Sequence, residues 1–241
     1  MVSTEEWFRF TLPLVIALAD RKNRALITST SYDLVPCVGD TSSAVSDLLP
    51  SSYLMGINLN LTYLGESLLE VFYRDRKRWS YTFQSCALLS RFENIEGTIR
   101  KRVRSEETDT PPRRDVFITE RCLDTDLNVF TKMLRHEGSI DQLEFDIYYR
   151  LFSHLKSTST PLGGIIYVST DPNNCLKRIA GRNRSGEESI SLEYLESLHK
   201  CQTDWISSCD LPILKNKDTG AIAKDLSTFI NKIIGIPEAT K

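Results

Sequence analysis

Two short apolar runs, residues 116–119 (VFIT) and 163–168 (GGIIYV), constrain the fold of this 241-residue chain more than any other feature. Each is too short for a stable helix, and each stands between segments whose apolar residues recur at helical spacing. A continuous apolar run of that length is what a strand buried on both faces requires. Helical patterns cover 127–134, 143–155 and 192–205, the last with Leu192, Leu195, Leu198 and Trp205 on one face. Another helix starts at Asp171-Pro172, where proline suits the first turn, and runs through Cys175, Leu176 and Ile179. Residues 211–214 read as a last short strand and 222–234 as a last helix. Strands alternating with helices predict an α/β fold, a three-layer sandwich around a central parallel sheet, Rossmann-like and a single domain.

The N-terminal third is harder to read. Strands are expected at 14–18 and near 25–28, followed by a serine-rich stretch at 41–52. Residues 68–73 precede a charged run, 74–78, and 82–91 continue with helical spacing. The polar stretch 101–115, which includes KR, EE and PPRR, cannot bury apolar area and is expected to be a flexible insertion. The chain therefore divides into a divergent N-terminal part (1–66), an informative middle (68–206) and a C-terminal strand and helix (207–241).

Composition narrows the classes of function. A net charge of -2 and a pI near 6.0 give no electrostatic case for nucleic acid or membrane surfaces as partners. No apolar run is long enough to span a bilayer, and the apolar stretch 10–19 follows two acids, unlike a secretory signal. The six cysteines form no CxxC pair, so free thiols in a reducing, intracellular compartment are expected, cytoplasmic or mitochondrial. His136, His154 and His199 show no zinc-ligand spacing, and the metal ligands, if any, are not legible.

Four segments carry chemistry: LLEVFYRDRKRWSYTFQSCALLSR (68–91), FITERCLDTDLNVF (117–130), GGIIYVSTDPNNCLKRIAGRNRSGEE (163–188) and ISLEYLESLHKCQTDWI (190–206). Gln84 offers a carbonyl and an amide that can pair with a base edge. Phe83 and Phe130 can stack on a ring or simply pack in the core. Arg91 and Asp126 can form a buried pair whose remaining hydrogen bonds a ligand fills, or an ordinary ion pair between helices. The planar guanidinium groups of Arg178, Arg182 and Arg184 suit phosphate, although a basic cluster is commonly a solvated face.

In this order and spacing the four segments resemble the deoxyribonucleoside kinase family, most closely its deoxycytidine kinase-like branch. The resemblance implies a P-loop-kinase-like fold and transfer of the γ-phosphoryl of ATP, or another nucleoside triphosphate, to the 5′-hydroxyl of a deoxynucleoside, with Mg²⁺, often in a homodimer. It implies that Gln84 pairs with the base, that Phe83 and Phe130 flank it, and that Tyr73 meets the sugar 3′-hydroxyl with Glu187 or Glu188 as acidic partner. Gly186 reads as an insertion, which leaves open which glutamate faces the sugar. An arginine and an aspartate at Arg91 and Asp126 mark members that prefer deoxycytidine or purine deoxynucleosides over thymidine. Arg121, at the end of 116–119, lies near the 5′-oxygen and phosphates by the same resemblance, with Cys122 where the family carries serine. Arg182 and Arg184 are the lid arginines over the transferring group, and Arg178 lies against the donor adenine.

Two expected parts of such an enzyme are missing. The chain has no G-x-x-x-x-G-K-[ST] loop. Before Leu68 its glycines are Gly39, Gly56 and Gly65, and its lysine is Lys22. The stretch where the loop is expected, 19–25 (ADRKNRA), is basic but glycine-free. The general base, a glutamate in a proline-flanked motif, has as its nearest counterpart Val35-Pro36-Cys37-Val38, where neither Val35 nor Cys37 serves well. The expectation is a deoxynucleoside kinase-like protein. Its alternative is a catalytically dead relative that binds nucleoside or serves as a structural subunit.

Overall fold

A computed structural model describes residues 25–30, 52–55, 62–63, 65–105, 116–182, 187, 189–216, 228–230 and 232–233. The strand expected at 14–18, the serine-rich stretch before residue 52 and the motif around Pro36 lie outside them. The described strands are β1 (Ala25–Thr30), β2 (Ser52–Met55), β3 (Thr62–Tyr63), β4 (Glu66–Ser67), β5 (Val116–Glu120), β6 (Gly164–Val168) and β7 (Ile213–Asn216). Five of them form one sheet in the order β2-β5-β1-β6-β7, with every neighbouring pair parallel. Parallel neighbours need crossover connections, and the helices of the chain lie in those crossovers. Phe117 and Thr119 of β5 and the consecutive Ile165, Ile166 and Tyr167 of β6 are buried. Burial of successive residues, rather than alternate ones, is the mark of a strand covered on both faces.

β3 and β4 form a small antiparallel hairpin turned at Gly65, whose φ of +88° is left-handed and favours glycine. β4 leads straight into α1 (Leu68–Arg74). Ser67 caps that helix, its hydroxyl accepting from the Glu70 amide at 3.2 Å while the Ser67 amide donates to Glu70 Oε2 at 2.9 Å. Asp75 then breaks the helical path at φ −144° and at once caps the next helix, accepting from the Arg78 amide at 3.0 Å. This one-residue joint lets α1 and α2 (Arg76–Ser105) point differently, and it sets Tyr73 beside the α2 residues that follow.

α2 corrects the expectation of a loop from 101. The helix runs through Lys101 to Ser105. Its last turn is polar, and the stretch 100–105 still consists largely of good helix formers, so polarity alone misplaced the boundary. Residues 106–115 lie outside the described part. β2, which falls at the end of the serine-rich stretch, and the β3–β4 hairpin were not expected at all.

Residues 123–136 form one continuous helix, α3, with an unexpected middle: Leu123–Thr125 is α, Asp126–Thr131 is a π turn, and Lys132–His136 is α again. A π turn carries one extra residue per turn and is found mostly at functional sites. α4 (Gln142–Thr158), α5 (Pro172–Arg182) and α6 (Leu192–Ser207) follow. The buried face of α6 is Tyr194, Leu195, Leu198, Gln202 and Ile206, rotated from the expected one, with Leu192 and Trp205 only partly covered. The last strand begins two residues later than expected, at Ile213. Of the last helix, residues 228–230 and 232–233 are described as helical, and Phe229 and Ile233 lie against Gly164 of β6.

Candidate functional site

The site is built where α1, α2, α3 and α6 share one core. Tyr73, Phe83, Phe130, Ile179, Tyr194 and Leu198 belong to the same buried cluster. Gln84 and Arg91 are seven residues apart on α2, two helical turns, so both face the same neighbour. That neighbour is α3, whose π turn packs against α2.

Arg91 and Asp126 meet as the sequence led one to expect. Arg91 Nε donates to Asp126 Oδ2 at 2.7 Å and Nη2 to Oδ1 at 3.1 Å, with both side chains 2% exposed. Two charges out of water are costly unless the geometry is this complementary. Gln84 is 2% exposed, on the interior of α2. Phe130 lies one turn beyond Asp126 in the same π turn, which aims both side chains into the same layer. Phe83 is stacked on Phe72, with ring centroids 4.5 Å apart and planes 17° apart. Phe72 was not singled out from the sequence.

Arg121 leaves the C-terminal end of β5 with a φ of +63°, the only non-glycine residue with positive φ among those described. An L-residue pays for that conformation in strain, which is common where a side chain must be aimed. The Thr119 hydroxyl steadies the turn, donating to the Arg121 carbonyl at 2.9 Å. The guanidinium carbon then sits 4.8 Å from the Phe130 ring centroid. Cys122, next in the chain, is buried, and burial with the Asp124 carboxylate pushes its thiol up to about 11.

Tyr73 is buried, and its hydroxyl makes no hydrogen bond of ordinary geometry. Burial, then the Tyr194 phenol and the Glu187 carboxylate, hold its phenol well above the ordinary range, against the pull of Arg121 and Arg76. Glu187 is 3% exposed and faces this group. Of the two glutamates left open by the sequence, Glu187 is buried and its charge acts on Tyr73, while Glu188 lies outside the described residues. Arg178 is exposed on α5, and Arg182 is that helix's last residue. The Arg182 side chain and all of Arg184 lie outside the described residues.

Besides Phe72, Arg76 and Tyr194 escaped the sequence reading. Arg76 lay in a charged run that looks like any solvated face. Tyr194 sat in a helix whose buried face was assigned to its leucines.

A profile of the deoxynucleoside kinase family matches residues 48–232. The chain belongs to the deoxynucleoside kinase family. It is similar to deoxycytidine kinase 2 of Gallus gallus, 36% identical over 145 residues that make up 59% of this chain and 52% of that protein. Deoxycytidine kinase of Mus musculus is 33% identical over 59% of this chain and 54% of its own. Mitochondrial deoxyguanosine kinase of Xenopus laevis is 32% identical over 59% of this chain and 52% of its own. The chain spans about half the length of these curated relatives.

The parallel sheet also shows where a phosphate loop of this family would have to start. Ligands of open parallel sheets gather at the C-terminal strand ends. β1 begins at Ala25, the last residue of the basic stretch 19–25, and residues 19–24 lie outside the described residues. The chain leaves β1 after Thr30, and the next ten residues, 31–40 (SYDLVPCVGD), hold one glycine and no lysine. Among the described residues no group of three or more His, Cys, Asp or Glu could hold a metal ion. None of their helices is long and apolar enough to cross a membrane.

Proposed function

We propose that this chain holds the acceptor site of a deoxynucleoside kinase, taking deoxycytidine or a purine deoxynucleoside rather than thymidine. The observation that carries the reading is the fully buried, bidentate Arg91–Asp126 pair, two turns along α2 from a buried Gln84. A pair oriented in this way presents fixed donors and acceptors to a base edge, and Gln84 adds a complementary amide. Phe83 and Phe130 bound the base. Tyr73 and Glu187 take the 3′-hydroxyl. Arg121, strained over Phe130, faces the 5′-oxygen, and Arg182 and Arg184 close over the transferring group, with Arg178 at the donor base. Glu188 remains the second choice for the sugar.

In this reading ATP, or another nucleoside triphosphate, supplies the phosphoryl group and Mg²⁺ neutralises its charge. Among the described residues no group of three or more His, Cys, Asp or Glu is placed to hold the ion. The fold is the three-layer sandwich of P-loop kinases as one domain over 1–241, consistent with the burial of successive residues in β6. A homodimer is part of the same reading, with Leu143, Ile147 and Tyr149 exposed on α4 and Leu89 on α2 as its apolar face. So are an intracellular setting, cytoplasmic or mitochondrial, and the absence of nucleic-acid and membrane partners.

The lysine-free segment after β1 favours a second reading, a nucleoside-binding relative that transfers no phosphate, as a binding or structural subunit. Calorimetric titration with deoxycytidine, deoxyadenosine and thymidine, beside a transfer assay with ATP, separates them. Binding of the first two with phosphate transfer supports a kinase; binding without transfer supports the second reading. If no deoxynucleoside binds, the acceptor site is wrong.

A further inference from the structure

Arg76 opens α2 directly after Asp75, the residue that ends α1 and caps α2. Its guanidinium carbon lies 4.9 Å from the centroid of the Tyr194 ring, on α6. Its Nη1 is 3.7 Å from Oε2 of Glu137, the residue that ends α3. One side chain therefore joins the start of α2, the end of α3 and the first turn of α6. The Tyr194 ring is buried and meets Tyr73 edge-on, with centroids 6.4 Å apart and planes at 78°. Tyr73 in turn carries the buried hydroxyl described above.

The arginine itself is 38% exposed and the glutamate 27%. An ion pair that wet contributes little by itself. The cation against a buried aromatic face is the stronger contact, and a flat guanidinium suits it better than an ammonium. The order of contacts is then Arg76 to Tyr194 to Tyr73, so the arginine is in contact with the sugar end through two rings, beside the weaker pull of its charge on the Tyr73 phenol.

We infer that Arg76 is a positioning residue for selection of the sugar 3′-hydroxyl: by holding Tyr194 it fixes the Tyr73 ring, and with it the direction of the Tyr73 hydroxyl toward a bound deoxynucleoside. The inference rests on the acceptor-site reading and adds to it a residue that does not touch the ligand. It makes discrimination between a 2′-deoxynucleoside and its 2′,3′-dideoxy analogue depend on a half-exposed arginine.

The test is calorimetric titration of the whole chain with 2′-deoxycytidine and 2′,3′-dideoxycytidine, and with the matching adenine pair. The variants are Arg76→Gln, Arg76→Lys, Tyr194→Leu and the Arg76→Gln/Tyr194→Leu double. Arg76→Gln is expected to weaken the deoxynucleoside about threefold to tenfold, the span of a partly exposed cation–π contact, and to leave the dideoxy analogue unchanged. Arg76→Lys, which keeps a cation, restores most of the difference. In the Tyr194→Leu background the glutamine substitution adds nothing. Equal weakening of both ligands would make Arg76 a brace of the fold only and overturn the inference, as would no weakening. An unmodified chain that binds both ligands equally overturns it too, whereas one that binds neither removes the acceptor site itself.

Discussion

At the end assigned to the base, Arg91 and Asp126 satisfy each other through two hydrogen bonds in complete burial. At the end assigned to the sugar, the buried Tyr73 hydroxyl finds no such partner, and the ring that carries it is held by Tyr194 and Arg76. The first arrangement holds its two charges together without a ligand, so its members belong to the stability of the fold as much as to recognition. The second leaves the Tyr73 hydroxyl without an ordinary hydrogen bond among the described residues, so its members belong to binding more than to folding. The difference places the two kinds of mutational effect in different parts of one helical cluster.

The largest effect is expected where the complete end is broken. Asp126→Ala leaves the Arg91 charge buried without its carboxylate and is expected to cost about 3–5 kcal/mol of stability, read by denaturant unfolding. Replacing both residues with apolar ones of similar volume should cost much less, and equal losses would show that the pair is not the cause. Next comes Gln84→Ala, expected to weaken deoxycytidine or deoxyadenosine binding by about 1–3 kcal/mol with little change in unfolding. A large loss of stability with unchanged affinity would place Gln84 in the core rather than at a base.

Tyr73→Phe sharpens the other end. It removes a buried hydroxyl that has no ordinary hydrogen bond, so stability should hold or rise by up to about 1 kcal/mol. Affinity for a deoxynucleoside should fall while that for the dideoxy analogue stays. A matching loss of stability would mean the hydroxyl is already satisfied in the free protein.

The smallest effect is one of pH. Burial raises the Cys122 thiol from 9.0 to about 11, and it also raises the phenols of Tyr73, Tyr148 and Tyr194. A group raised on folding stabilises fully below its unfolded value and loses that contribution as pH rises to the folded one. Stability should therefore decline with alkali, with the Cys122 share lost between pH 9 and about 11. Thermal melts across that window should show a shallower decline for Cys122→Ala. An unchanged slope would locate the alkaline loss in the tyrosines alone.

Much of the fold was legible because it rests on local pattern. β5 and β6 were marked by apolar runs, and α4, α5 and α6 by their spacing and caps, since burial on both faces or on one stripe leaves its period in the chain. β2 escaped because Ser52–Met55 is four residues at the end of a serine-rich stretch. The end of α2 was misplaced because a polar helix turn and a polar loop have the same composition. For the site, the sequence named Arg91 with Asp126, a pairing the structure holds through two hydrogen bonds, whereas Tyr73 with a glutamate came from the family resemblance alone.

What the sequence determined by itself is the alternation of strands and helices, the family, and the pairing of Arg91 with Asp126. The tertiary structure decided the strand order β2-β5-β1-β6-β7, the burial of Glu187, the π turn at Asp126–Thr131 and the left-handed Arg121. It also brought Arg76 onto Tyr194 across 118 positions of chain, counted from their numbers. The reason is one of range: apolar periodicity is set within a single element, whereas the aim of a side chain depends on how separate elements pack, and no local pattern records that.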